Sequence, residues 1–121
     1  MQIQVKGLGQ FVFLAVGAKT EFNIPPIVFT TAYYYADGKL CYAIDFNGNS
    51  YLLDNNLNQL EELLSPQQFF RVNRQLLVNI KSIKKVHTWL GGRLKLELSL
   101  PAQADTIVSR ERVCGFKDWL G

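Results

Sequence analysis

Between Glu62 and Glu97 the chain carries no carboxylate, yet Arg71, Arg74, Lys81, Lys84, Lys85, Arg93 and Lys95 fall in that interval, with the single histidine, His87, among them. Cations without intervening anions repel one another, and a negatively charged partner is the simplest compensation, nucleic acid phosphate being the commonest. The same residues alternating with apolar ones would also suit the wetted face of a sheet. The imbalance is local. Residues 1–60 hold three Lys/Arg and four Asp/Glu, and residues 61–121 hold ten and six, which puts the second part at +4 in a chain of net +3.

Catalytic chemistry has little to draw on. One histidine supplies no base and ligand set, no Cys or His cluster has metal-ligand spacing, and Gly7, Gly9 and Gly17 do not open a helix as a phosphate loop would. We therefore expect no enzyme, no metal and no cofactor. Cys41 and Cys114 are far apart without a CxxC spacing and read as two reduced, partly buried thiols of a cytoplasmic protein. The longest uncharged stretch, between Glu21 and Asp37, contains Pro25, Pro26 and several polar residues and makes no spanning helix. Residues 1–17 lack the pattern of a secretory signal.

The elements that must position these cations are mostly strands. A chain of 121 residues, 48% hydrophobic with 15 aromatic side chains, is expected to form one domain with its own core across residues 1–121, and disorder is excluded. Arg93, Leu94, Lys95, Leu96, Glu97, Leu98, Ser99 and Leu100 alternate without error, which sets four leucines on one face of a strand. Gly91 and Gly92 precede it and residues 84–90 precede them, so a two-residue glycine turn closing a hairpin is expected. Further strands are expected at 10–16, 20–24, 27–31, 40–46, 50–53, 70–72 and 106–108, with Asn47, Gly48 and Asn49 as a turn. Strands this short and this close in sequence need no crossover helices, which predicts antiparallel sheets. Two segments follow helical spacing instead. Leu57, Leu60, Leu63 and Leu64 form one, with Asn56 and Gln59 as a capping box; the other runs from about Arg110 to Leu120, with Ser109 as candidate cap. Trp89 and Trp119 are expected in the core.

The stretch Phe69, Phe70, Arg71, Val72, Asn73, Arg74, Gln75, Leu76, Leu77, Val78, Asn79, Ile80, Lys81, Ser82, Ile83 resembles the signature of the LytTR-type DNA-binding domain, which reads approximately FFRxHRSxLVNxxxI. Ile107, Val108, Ser109 and Arg110, followed by an amphipathic helix, resemble the closing motif of that family. Leu57 to Leu64 resembles its short mid-chain helix, and residues 20–32 resemble its opening strands. The resemblance runs from about residue 11 to the end. It implies a mainly β fold of antiparallel strands in three small stacked sheets with a short mid-chain helix and a C-terminal helix. It also implies the output domain of a bacterial response regulator or related transcription factor, whose loops enter successive major grooves of double-stranded DNA that bends around the domain.

Carried over residue by residue, the resemblance places Arg74 and Arg110 at base-reading positions and Asn73, Gln75, Lys81, Ser109 and Arg112 at DNA-backbone positions. Asn73 stands where the family usually has His, and Gln75 where it has Ser. The third reading loop, residues 30–39, reads TTAYYYADGK and lacks the usual acidic residue; Lys39 is its candidate base contact. Tyr33, Tyr34 and Tyr35 would stack on sugar or base there, or form a self-association patch. Other readings stay open: Arg71 pairing with Glu97 across strands, Asn79 as a turn former, Arg110 as the start of a helix. A cation at a helix start faces the positive end of its dipole, which favours a use elsewhere for Arg110. Both arginines must reach one duplex, so they are expected on one face, with the tract from Arg71 to Lys95 partly aligned beside Arg110 and Lys117, and with Asp54, Glu61 and Glu62 elsewhere. A homodimer on repeated sites and a receiver or sensor domain in a longer chain would accompany this function. The competing reading is a β-sheet protein-interaction module that has kept the fold and lost DNA binding.

Overall fold

The computed structural model describes residues 31–121; the strands expected at 10–16 and 20–24, and all but the last residue of the one expected at 27–31, lie outside the described residues. The described residues begin as a meander, β1 (Thr31–Asp37), β2 (Leu40–Asp45) and β3 (Ser50–Leu53), all antiparallel. The β2–β3 turn is built by Asp45. Its carboxylate accepts the backbone N–H of Asn47 at 2.9 Å and of Asn49 at 2.8 Å, the Asn49 amide at 3.1 Å and the Tyr51 hydroxyl at 2.7 Å. Gly48 supplies the left-handed backbone such a turn requires (φ 89°).

Helix α1 (Leu57–Leu63) follows with its capping box as expected: Gln59 N–H donates to Asn56 Oδ1 at 2.8 Å, and Asn56 N–H donates to Gln59 Oε1 at 3.0 Å. A hairpin of β4 (Phe69–Asn73) and β5 (Leu76–Asn79) then inserts β5 beside β1, giving a five-stranded sheet in the order β3-β2-β1-β5-β4. The three remaining strands, β6 (Ile83–Trp89), β7 (Arg93–Leu98) and β8 (Ile107–Val108), form a second antiparallel sheet in chain order. Helix α2 (Val113–Leu120) closes the chain. The described residues thus form two stacked sheets where the resemblance implied three.

Two hydrophobic clusters lie on opposite faces of the five-stranded sheet. One gathers Tyr34, Tyr51, Phe69 and Leu77 under Leu57 and Leu60 of α1. The other gathers Tyr33, Val72 and Val78 against Leu94, Leu96 and Leu98 of β7 and Phe116 of α2. The alternating leucines of β7 are therefore core, as their period indicates. Phe116 and the half-buried Trp119 pack on Phe70, with ring centroids 5.6 and 5.2 Å away.

Four expectations change. Most of the expected loop is a strand, Thr31–Asp37, with Gly38 and Lys39 as the turn after it; Tyr33 and Tyr34 are buried, and the half-buried Tyr35 stacks on Tyr42 at 5.1 Å, so there is no tyrosine patch. The glycine turn spans three residues, because Trp89 still pairs with Arg93. Trp89 is 40% exposed at that hairpin, with the Lys95 ammonium 4.5 Å over its ring. Cys41 is buried, but Cys114 is exposed; both are free thiols.

Candidate nucleic-acid interface

The connection between β4 and β5 is Arg74 and Gln75, and two side chains, Asn73 and Arg71, hold it. Asn73 Oδ1 accepts the Gln75 N–H at 2.8 Å, which folds the backbone around Arg74. Arg71 reaches back under the loop, donating from Nε to the Asn73 carbonyl and from Nη2 to the Arg74 carbonyl, each at 2.7 Å. Its Nη1 is anchored on α1 by Asn58 Oδ1 at 2.9 Å and Glu61 Oε1 at 3.3 Å. The Arg71 side chain is only 10% exposed. Burial lowers its pKa, and the Glu61 carboxylate opposes that shift; a guanidinium stays charged throughout. Arg74, by contrast, is exposed, and its guanidinium makes no hydrogen bond or ion pair with any described residue.

The Arg110 segment is tied to the same loop. Asn73 Nδ2 donates to the carbonyls of Asp105 and Ile107, both at 2.8 Å. The Ser109 N–H donates to the Val72 carbonyl at 3.0 Å. Arg110 therefore leaves a segment bonded directly to the strand that leads into Arg74. Arg74 and Arg110 border adjoining depressions that share Asn73, Asp105, Ser109 and Glu111. They lie on one face although far apart in sequence. The turn containing Lys39 joins them there: the Ala36 N–H donates to the Gln75 carbonyl at 2.9 Å, and Gly38 lines the depression beside Arg74.

Arg110 opens a 3₁₀ turn, Arg110–Arg112, that leads into α2. Its Nε donates to the Gly91 carbonyl at 2.9 Å, so the tip of the β6–β7 hairpin stands against it. At the same tip Arg93 Nε donates to the Leu90 carbonyl at 2.9 Å. Ser109 precedes the turn but does not cap it with its side chain, whose hydroxyl points to the Val72 carbonyl at 3.4 Å.

Two other candidates are placed differently. Lys81 lies in a 3₁₀ turn, Ile80–Ser82, at the opposite end of β5 from Arg74. Buried Asn79 shapes that turn, its Oδ1 accepting the Lys81 N–H at 2.9 Å and its Nδ2 donating to the Thr31 carbonyl at 2.9 Å, so it is a turn former. Arg112 donates from Nη1 to the Arg71 carbonyl at 3.1 Å and lies 3.8 Å from Glu61.

In space the basic tract is not free of acid. Glu61 meets Arg71 and Arg112, contrary to the expectation that it lies elsewhere. Glu97 pairs with His87 at 3.2 Å and Lys84 at 3.6 Å, rather than with Arg71, and the His87 bond chiefly holds its pKa below the usual value. Arg71 was legible as a cation of the tract, a residue of the signature and a possible partner of Glu97, but nothing in its spacing indicates that its fork turns inward onto two carbonyls. Among the described residues no group of three His, Cys, Asp or Glu side chains could hold a metal, and no helix is long and apolar enough to cross a membrane.

Known proteins share this fold. A solved LytTr DNA-binding domain of a methyl-accepting/DNA response regulator from Bacillus cereus superposes with a TM-score of 0.73 at 20% identity, covering 97% of this chain and 94% of that one, which establishes the fold. The sensory transduction protein LytT of Oceanobacillus iheyensis is 38% identical over 65 residues, 54% of this chain and 26% of that protein, so the match spans about a quarter of the relative's length. The model of the LytTr DNA-binding domain matches residues 28–121, and with the signature loop, the two sheets and the closing helix in their places, the chain belongs to the LytTR DNA-binding domain family.

Proposed function

We propose that this domain reads double-stranded DNA through its loops, as the output domain of a bacterial transcription regulator. Arg74 and Arg110 contact base edges in the major groove and Lys39 extends the same reading face, while Gln75, Lys81, Ser109 and Arg112 meet the DNA backbone. The observation that carries this is the pairing of an anchored backbone with an open guanidinium at Arg74, beside Arg110 on one face. A side chain meant only for internal structure would be engaged, as Arg71 is. Asn73 serves differently from the other backbone candidates: both hydrogens of its amide are bonded within the chain, so it acts by joining the two reading segments. A receiver or sensor domain elsewhere in a longer chain, and a homodimer on repeated sites, belong to the same proposal.

The test is selection of bound duplexes from a random pool, followed by titration of the selected site at several salt concentrations. About five phosphate contacts predict a slope of log affinity against log salt near −4 to −5. Absence of any selected sequence, with a flat salt response, would favour the second reading, a protein-interaction module. That reading draws on the exposed Trp89 and the 73% exposed Leu90 at the hairpin tip.

A further inference from the structure

The tip of the β6–β7 hairpin carries two consecutive glycines in left-handed backbone, Gly91 (φ 69°) and Gly92 (φ 76°). Their surroundings differ. A β-carbon on Gly92 would meet nothing within 4 Å, whereas one on Gly91 would stand 3.0 Å from Arg110 Nη2. The Arg110 guanidinium therefore lies closely over the Gly91 Cα while its Nε is bonded to the carbonyl of that residue at 2.9 Å. Both positions favour glycine for their backbone hand, but only at Gly91 would a β-carbon crowd the Arg110 guanidinium and displace it by a few tenths of an ångström.

Arginine presents five N–H donors in a rigid plane. With Nε held by a carbonyl, the four donors on Nη1 and Nη2 remain as an end-on fork, the geometry that matches the O6 and N7 acceptors of guanine. No described carboxylate pairs with Arg110 to divert that fork. Fixing the side chain before contact also removes part of the ordering cost from binding.

We propose that Gly91 is a specificity-determining positioning residue, whose carbonyl oxygen orients the Arg110 guanidinium for end-on reading of a guanine and whose missing side chain leaves that guanidinium its place. This rests on the base-contact reading of Arg110.

The test uses the whole chain and four variants, Gly91→Ala, Gly92→Ala, Arg110→Ala and the Gly91→Ala/Arg110→Ala double. Affinity is measured for the selected site and for random duplex. Arg110→Ala and Gly91→Ala should each lower the ratio of cognate to random affinity by about tenfold, the range of one lost bidentate contact. Gly92→Ala likewise places a side chain in positive-φ backbone and should change the ratio by less than about twofold, as should Gly91→Ala added to Arg110→Ala, because coupled positions are not additive. If Arg110→Ala leaves the ratio unchanged, the base-contact reading falls and this proposal with it. If Arg110→Ala lowers the ratio but Gly91→Ala does no more than Gly92→Ala, or acts equally without Arg110, the positioning role alone is overturned.

Discussion

Arg71 holds Arg74 by its backbone: the Nη2 of one donates to the carbonyl of the other at 2.7 Å, while Nε takes the neighbouring Asn73 carbonyl. The loop is thus fixed from beneath by a charge that α1 neutralises through Glu61. A planar fork can satisfy two carbonyls and a carboxylate together, whereas an ammonium is a point donor.

Arg71→Ala should therefore destabilise the fold by about 2 to 4 kcal/mol, since the several charge-assisted bonds of a nearly buried guanidinium are lost together. Arg71→Lys should recover less than half of that. Urea unfolding followed by tryptophan fluorescence measures both, and a lysine variant as stable as the parent would show that the fork geometry is not needed.

Arg74→Ala should cost on the order of 1 to 3 kcal/mol on the selected duplex and much less on random DNA. Lys81→Ala should weaken both about equally and reduce the salt slope by roughly one unit. Because Lys81 stands at the other end of β5, an unchanged slope would place it beyond the DNA footprint. Equal losses for Arg74→Ala on both duplexes would make Arg74 a phosphate clamp.

Asn73 donates to two carbonyls and accepts one N–H. Asn73→Ala should cost about 1 to 3 kcal/mol for those bonds. Asn73→Asp should cost more, because a carboxylate oxygen would then face the Asp105 and Ile107 carbonyls. Thermal melts at neutral pH rank the two, and an aspartate variant as stable as the parent would remove Asn73 from its joining role.

Asp45 gives a pH signature. Burial raises its pKa, and the hydrogen bonds it accepts, that of Tyr51 foremost, outweigh burial and hold it below the ordinary 3.8. A carboxylate depressed in the folded state contributes stability that is complete above its unfolded value of about 3.9 and is lost as pH falls through the folded value. Unfolding free energy of the parent should thus fall faster than that of Asp45→Asn below about pH 4, with Asp45→Asn the less stable at pH 7. Parallel curves for the two would show that the turn does not depend on ionised Asp45.

Much of this architecture is legible in the residues. The capping box of Asn56 and Gln59 and the leucine alternation of β7 are local signals, and the folded chain obeys them. Strand β1 is not legible that way. It is covered on both faces, with Thr31, Ala32, Tyr33 and Tyr34 all buried, so the alternation that marks a half-buried strand is missing. Its tyrosines consequently read as a surface loop. At the site, Arg74 and Arg110 follow from the signature, whereas the part played by Arg71 and Gly91 depends on where carbonyls point, which no side-chain pattern encodes. Tyr33 is a similar case: its hydroxyl donates to the Pro101 carbonyl at 3.3 Å and accepts the Gln103 N–H at 3.1 Å, bonds that span most of the described chain.

Because β1 is the middle strand of its sheet and sends Tyr33 into one cluster and Tyr34 into the other, the two clusters should melt together. Amide protons along β1 and β5 should exchange with solvent only through global opening, whereas those at the glycine tip, 90–92, exchange by local fraying. On that expectation the proposed reading face draws on both extremes of the stability range: Arg74 hangs from the last part of the molecule to open, and Arg110 leans on one of the first.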